Sequence, residues 1–222
     1  MKPTLLRAQA TTPDGRIMSL HEHDGALVIR VAGVELMSTR QHHSEERLAE
    51  LACARVRSRP QPRVLIGGLG LGFTLRAVLA QLGPAGRATV VELMPAVIEW
   101  NRDPAYNLAA DALADPRVET IAGDVADVLE AGRRRFDAII LDVDNGASGL
   151  SMGSNSRLYT AAGLATARAA LTPGGCLAVW SAGDDPAFVE RMRRAGYDVT
   201  VERARTHATG GGWTSLFIGV AR

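Results

Sequence analysis

The chain has 222 residues, a formal net charge of +1 and an apolar fraction of 46%. This length fits one α/β domain with a small appendage, and so small a net charge argues against a broad nucleic-acid surface. No apolar run predicts a membrane span or a signal peptide. Cys53 and Cys176 lie in apolar segments without metal-ligand spacing, which is typical of reduced core residues and predicts a cytoplasmic protein.

The N-terminal part of the chain predicts a short β unit. Apolar runs bounded by Asp-Gly turns predict strands at 26–29 and 34–37. We therefore predict two units, a short N-terminal β unit over 1–42 and an α/β domain over 43–222.

Helices and strands alternate through the rest of the chain. This alternation predicts a seven-stranded, mostly parallel sheet with helices on both faces. The last two strands have no helix between them and should form an antiparallel hairpin. Ser44 is the expected N-cap of the first helix. Helices are predicted at 44–57, 72–82, from 95, 125–131, 157–171 and 185–195, and strands at 63–66, 88–92, 117–121, 136–142, 176–181, 197–204 and 213–220.

A glycine turn, with Gly68, Gly70 and Gly72, joins the first strand of this alternation to its helix. The spacing differs from the dinucleotide fingerprint, and no P-loop lysine follows. Such a turn lies at the carboxyl edge of the sheet, where nucleotides bind, and glycine lets a ligand approach the backbone. The alternative is a turn that is tight only because strand and helix pack closely.

Acidic residues follow three strands of the predicted sheet. Glu92 ends one strand, Asp124 follows the next, and Asp142 and Asp144 follow a third. Each alone is explained as a helix N-cap. Together, beside a glycine turn, they favour an adenosine-type site in which Glu92 accepts the ribose hydroxyls and Asp124 the adenine amine.

The order of motifs resembles the spermidine synthase family, within the Rossmann-like class I S-adenosylmethionine-dependent methyltransferase fold. The motifs are the glycine turn, Val-Glu-x-x-Pro, Gly-Asp, Asp-Ala-Ile-Ile-Leu-Asp, Leu-Tyr and Leu-x-Pro-Gly-Gly, and they cover about residues 25–220. The resemblance implies a donor, S-adenosylmethionine or its decarboxylated form. Displacement at the sulfonium of such a donor needs alignment and no metal. It places Glu92 on the ribose, Asp124 with its neighbour Val125 at the adenine, and Asp142 beside the reacting amine.

The chain departs from this family at several positions. The family's second aspartate corresponds to Asn145, with Asp144 one place away. Its turn aspartate, which holds the donor's aminopropyl ammonium, corresponds to Gly70, and its Tyr-His pair appears as Ser44-Glu45. An acid in the turn would repel the carboxylate of intact S-adenosylmethionine. Its absence slightly favours methyl transfer over aminopropyl transfer.

The acceptor is predicted to be a small amine. Asp142 and Asp144 would attract its cation and take up a proton, while the resemblance places Tyr159 near the acceptor. The alternative to a role of Tyr159 at the acceptor is that its ring packs against a helix. The acids could instead bind a divalent metal, but no third ligand is apparent. Three functions stay open: methyl transfer to an amine, aminopropyl transfer to a polyamine such as putrescine, and a non-catalytic nucleoside-binding subunit.

Four further features have both a structural and a functional interpretation. The long loop 143–156 predicts a lid over the acceptor, or a surface loop without a role. His42 and His43 are adjacent, so on a helix their side chains point in different directions. This favours an exposed helix turn over a pair of metal ligands or catalytic bases. Trp213 is expected to cap the core. A homodimer is possible, and the β unit could take part in it.

Overall fold

The computed structural model describes residues 3–143 and 155–222. Asp144 and most of the predicted loop 143–156 lie outside these residues. An antiparallel sheet, with its strands in chain order, precedes the α/β domain. Its strands are β1 (Thr4–Thr11), β2 (Ile17–His23), β3 (Ala26–Val31) and β4 (Val34–Ser38). The sequence did not reveal β1 and β2, because β1 is mostly exposed and lacks a regular apolar alternation.

The second sheet has seven strands. They are β5 (Arg63–Gly67), β6 (Arg87–Glu92), β7 (Val118–Ala122), β8 (Phe136–Leu141), β9 (Leu171–Ser181), β10 (Tyr197–His207) and β11 (Gly210–Ala221). Their spatial order is β10-β11-β9-β8-β5-β6-β7. Strands β5 to β9 are parallel, whereas β11 runs antiparallel to both β9 and β10. The predicted fold class is confirmed, including the C-terminal hairpin.

The α-helices of the described residues cover both faces of this sheet. They are α1 (His43–Ala54), α2 (Phe73–Gln81), α3 (Pro95–Arg102), α4 (Ala110–Leu113), α5 (Val125–Ala131), α6 (Ala161–Ala170) and α7 (Pro186–Arg194). The predicted helix over 157–171 is wrong at both ends. A 3-10 turn spans Asn155–Tyr159, and α6 begins only after Thr160, whose Oγ1 accepts from the Gly163 N–H at 3.0 Å.

Ser44 is not the N-cap of α1, so that prediction is wrong. His42 occupies the N-cap position without a side-chain hydrogen bond to the helix. Ser44 lies inside the first turn and its hydroxyl donates to Glu45 instead. Serine is a suitable N-cap residue, but Ser44 lies on the buried face of α1, where its hydroxyl donates to the Glu45 carboxylate.

One hydrophobic core joins the two sheets. Met18 and Ile29 of the N-terminal sheet belong to the same cluster as Leu48 of α1, Ile66 of β5 and Leu75 of α2. The N-terminal sheet adjoins the glycine turn, since the Met37 sulfur lies 3.0 Å from a Cβ built on Gly70. The division at residue 42 stays a prediction; buried apolar residues of the N-terminal sheet share the core cluster of the α/β domain.

Cys53 and Cys176 are buried free thiols, as predicted for core residues. Burial raises the pKa of each thiol to about 12. Trp213 does not cap the core. It is 48% exposed, and the guanidinium groups of Arg203 and Arg205 lie over its ring. No helix among the described residues has the length and apolar character to cross a membrane.

Candidate active site

Two of the three turn glycines make room for protein atoms. A Cβ on Gly68 would lie 2.2 Å from the backbone oxygen of Asp142, and a Cβ on Gly72 would lie 2.3 Å from the Ala109 side chain. Both have positive φ, +92° and +84°. Packing therefore accounts for the missing side chain at both positions, and a part for Gly68 and Gly72 in binding stays a prediction. Gly70 is different, because its nearest neighbour is the Met37 sulfur, 3.0 Å from an added Cβ.

Gly68→Ala is expected to destabilise the fold by about 3 kcal/mol or more, because a methyl group there meets backbone at a left-handed φ. Chemical denaturation of the variant measures this. Gly183→Ala is the matched control, since a Cβ there meets nothing within 4 Å. Its stability should stay within about 0.5 kcal/mol of wild type. Equal stability of both variants would show that the contact with Asp142 is not a constraint.

Glu92 fixes the turn from the neighbouring strand. Its buried carboxylate ends β6, where Oε2 accepts from the Leu69 N–H at 2.8 Å and Oε1 accepts from the Met94 N–H at 2.9 Å. These bonds connect the glycine turn to the start of α3. A carboxylate oxygen can accept more than one hydrogen bond, so the bonds to Leu69 and Met94 do not by themselves exclude a contact with a ligand.

A first cavity, here called the Glu92 cavity, lies at the carboxyl edge of the sheet. It is lined by the predicted residues Gly68, Gly70, Glu92, Asp124, Val125 and Asp142, together with side chains of the N-terminal sheet such as Ile29 and Met37. The structure thus brings six of the predicted binding residues to one place. Gly72 does not line this cavity.

Asp124 is both a helix cap and a wall of the Glu92 cavity. Its Oδ1 accepts from the Ala126 N–H at 2.8 Å at the start of α5, and its Oδ2 lies 2.9 Å from the Arg157 Nη2. The N-cap alternative is therefore correct for this residue. The remaining lone pairs leave it able to accept from a ligand as well.

A second cavity, here called the Glu45 cavity, adjoins the first. Leu36, Met37, Gly70 and Asp142 line both cavities, whereas Glu45 lines only the second. The other walls of the Glu45 cavity combine apolar and neutral polar side chains: Ser38, Gln41, Ser44, Leu69, Leu71, Phe73, Thr74, Trp180 and Thr206. Of its described lining residues, Glu45 and Asp142 are acidic and none is basic. A small cation with an aliphatic body is the ligand that such a cavity suits.

Asp142 lies where the two cavities meet. Its Oδ2 accepts from the Thr74 Oγ1 at 2.5 Å. Burial raises the pKa of its carboxyl to about 6, and the hydrogen bond from Thr74 opposes that shift. A carboxyl with such a pKa can take up a proton near neutral pH, as a general base requires.

Glu45 is held in place by a short chain of hydrogen bonds. The Ser44 hydroxyl donates to Glu45 Oε2 at 2.5 Å, and the Trp180 Nε1–H donates to the Ser44 Oγ at 3.1 Å. Burial, and then the nearby charge of Asp142, raise the pKa of Glu45 to about 7. Two carboxyls without a cation between them disfavour double ionisation, and a bound ammonium would relieve this.

The sequence interpretation did not select Glu45 or Thr74 for the site. A local signal was available for Glu45, because Leu48, Ala49 and Ala52 follow it at helical spacing and are all buried. An acid on the buried face of a helix is uncommon unless it has a partner or a role. For Thr74 no local signal distinguishes its hydroxyl from an ordinary helix residue.

Tyr159 does not itself line either cavity. It is buried, its hydroxyl donates to the Val143 carbonyl at 3.3 Å, and its ring packs edge-on against Phe188 at 5.7 Å. This placement favours the packing alternative, and a catalytic role for Tyr159 stays a prediction. The hydrogen bond holds the backbone next to Asp142, so Tyr159 positions the chain that carries the acid.

His42 has partners other than the two acids of the Glu45 cavity. The His42 ring stacks on Phe73 at 4.4 Å and its Nδ1 lies 2.9 Å from Glu46 Oε1. In the part of the chain that the structure describes, no three His, Cys, Asp or Glu residues form a group that could hold a metal ion.

The family model of the spermine/spermidine synthase domain matches residues 42–190, which include both acids and the glycine turn. This chain belongs to the spermine/spermidine synthase family. The resemblance stated from the sequence is therefore confirmed.

Several curated relatives of this family member are polyamine aminopropyltransferases. That of Korarchaeum cryptofilum is 33% identical over 124 residues, which cover 56% of this chain and 36% of the relative. Polyamine aminopropyltransferase 2 of Pseudomonas aeruginosa is 36% identical over 120 residues, 54% of this chain and 33% of the relative. The chain thus spans about a third of the length of these relatives. The names of these two relatives do not support the slight preference for methyl transfer that the sequence suggested.

Solved structures share the fold of this family member. A spermidine synthase from Thermotoga maritima covers 98% of this chain with a TM-score of 0.77 at 21% identity, and the chain covers 73% of it. A spermidine synthase in complex with the transition-state analogue AdoDATO gives a TM-score of 0.76, also at 21% identity, with 98% of this chain and 72% of that chain covered. At this identity the likeness concerns the fold.

Proposed function

We propose that this protein transfers an aminopropyl group from decarboxylated S-adenosylmethionine to a small amine of the polyamine class, such as putrescine. The observation that carries the proposal is the acidic character of the Glu45 cavity, where Glu45 and Asp142 face the same space. The names of the curated relatives support the same reaction class.

The charge of the donor's tail decides between the two transfers. Intact S-adenosylmethionine carries a carboxylate on its tail, and the decarboxylated donor carries only an ammonium. Because Gly70 stands where the family has an aspartate, the sequence suggested that the site lacks an acid to repel the carboxylate of intact S-adenosylmethionine. Glu45 and Asp142 line the same cavity as Gly70 and supply that negative charge from other elements. A carboxylate is therefore unfavourable there, and the methyl-transfer preference loses its physical basis.

The donor's nucleoside is proposed to occupy the Glu92 cavity. Glu92 would accept the ribose hydroxyls while its bonds to Leu69 and Met94 keep it oriented. Asp124 would accept from the adenine amine, with Val125 beside the ring. The sulfonium then lies near Gly70 and Asp142, where the two cavities meet.

The reaction is a displacement in line with the breaking bond. The acceptor nitrogen attacks the aminopropyl carbon next to sulfur, a nitrogen–carbon bond forms, and the carbon–sulfur pair stays on sulfur as a neutral thioether. The proton on the acceptor nitrogen passes to the Asp142 carboxylate. The protein contributes alignment, charge and proton uptake.

Incubation with putrescine and either donor tests the proposal. We expect decarboxylated S-adenosylmethionine to give a product heavier by one aminopropyl unit, with 5′-methylthioadenosine released, and intact S-adenosylmethionine to give no alkylated amine. Mass spectrometry measures both products. A methylated amine would contradict the proposal. Nucleoside binding without any product would instead support the non-catalytic subunit.

A further inference from the structure

Two acids line the Glu45 cavity among the described residues, and their positions differ. Asp142 lines both cavities and lies at their junction, whereas Glu45 lines only the second cavity. A donor bound by its nucleoside at Glu92 must pass its tail across Gly70 to reach the Glu45 cavity. The reacting carbon is next to sulfur and stays at the junction, while the end of the tail lies farther in.

We propose that Glu45 binds the terminal ammonium of the donor and thereby selects decarboxylated S-adenosylmethionine over the intact form. This inference rests on the proposed function. With Asp142 assigned to the attacking nitrogen at the junction, Glu45 is the acid left beyond it among the described lining residues. The chain has no acid in the glycine turn, so the charge that recognises the tail comes from α1.

The surroundings of Glu45 fit an ammonium ligand. Ser44 and Trp180 form the hydrogen-bond chain that fixes the carboxylate, and Glu45 lies in the first turn of α1, where the helix dipole favours a negative charge. The Thr206 hydroxyl, another wall of this cavity, is shielded from solvent and has no hydrogen-bond partner among the described residues. It can accept from the same ammonium.

Titration calorimetry of Glu45→Gln tests the assignment. The ligands are decarboxylated S-adenosylmethionine, intact S-adenosylmethionine, and 5′-methylthioadenosine, which has no charged tail. We expect the variant to bind the decarboxylated donor roughly ten- to a hundredfold more weakly, to bind 5′-methylthioadenosine within about twofold of wild type, and to bind the intact form no more weakly than wild type does. Glu50→Gln is the matched control, because Glu50 on the same helix pairs with Arg47 and does not line the cavity.

The variant should fold, because a raised carboxyl pKa means that ionisation opposes folding. Between the ordinary value of 4.5 and about 7, the folded chain binds more protons at Glu45 than the unfolded chain does. The free energy of unfolding therefore decreases as the pH rises through this window. A neutral Gln does not ionise, so it avoids this decrease in the free energy of unfolding. We therefore do not expect the variant to melt below the wild type at pH 8.

Proton linkage gives a second measurement. Asp142 and, more weakly, Glu46 are the charged groups that raise the pKa of Glu45, while Phe73 and Trp180 on the facing elements are uncharged. An ammonium lowers the pKa of both cavity acids, so binding releases protons. Wild-type affinity for the decarboxylated donor should therefore rise from about pH 5 and level off above about pH 7, and Glu45→Gln should show a smaller rise.

Three outcomes would overturn the inference. In the first, the ratio of decarboxylated to intact donor affinity is unchanged in Glu45→Gln. In the second, only the acceptor KM rises, which would assign Glu45 to the acceptor. In the third, all three nucleosides weaken equally, which would make Glu45 a structural residue. Failure of the proposed function is distinct, because wild-type protein would then give no aminopropylated amine.

Discussion

Asp142→Asn is expected to lower kcat for aminopropyl transfer by roughly 10²- to 10⁴-fold while sparing donor binding. The amide matches the carboxylate in shape and still accepts from the Thr74 hydroxyl through its own oxygen. It has no charge to attract the acceptor nitrogen and cannot take up the proton that leaves it. Single-turnover kinetics with putrescine measure the loss, and calorimetry with 5′-methylthioadenosine measures nucleoside binding.

A control at the far end of the sheet separates this effect from a general change of charge. Asp198→Asn removes an exposed carboxylate that pairs with Arg222 and lines neither cavity. Its kcat should stay within about twofold of wild type. Asp142→Asn should also keep its stability at pH 8, since burial opposes the charge of the native carboxyl. Turnover that persists in this variant would remove Asp142 from its proton-accepting role.

Glu92→Gln is expected to weaken binding of both the decarboxylated donor and 5′-methylthioadenosine by roughly 10- to 100-fold. The native carboxylate accepts from two backbone N–H groups, those of Leu69 and Met94. Gln has one oxygen, so its NH₂ group must face one of these donors and leave that N–H without a partner in a buried place. The same exchange removes an acceptor for the ribose hydroxyls.

The exchange at Glu92 therefore has two separate costs of about 1–3 kcal/mol each: the unpaired N–H in the turn lowers the free energy of unfolding, and the lost acceptor weakens ligand binding. Calorimetry measures the affinity, and a melting curve measures the part that comes from the turn. Glu99→Gln, on the exposed face of α3, should change neither. A variant at Glu92 that melts early but binds 5′-methylthioadenosine normally would show that Glu92 only supports the turn.

Both predictions depend on acids that sequence reasoning found at the ends of strands. Glu92 ends β6, Asp142 directly follows β8, and Asp124 follows β7 after one glycine; parallel strands bring their carboxyl ends to one edge. Local pattern and a general rule of sheet topology therefore suffice to group them. For Tyr159 the resemblance alone suggested a place near the acceptor; its ring packs edge-on against Phe188, and its role in the reaction stays a prediction.

The sequence by itself determined the alternation of strands and helices, the glycine turn and the edge where three acids meet. These features are local, since the period of apolar residues and the residue that follows a strand are visible in the chain. Only the tertiary structure decided which groups share a cavity. It brought Glu45 from α1 to face Asp142, placed Met37 of the N-terminal sheet against Gly70, and fitted Gly68 against the Asp142 backbone. These tertiary contacts depend on how helices and strands that are distant in the sequence pack against one another, and short stretches of sequence do not determine that packing.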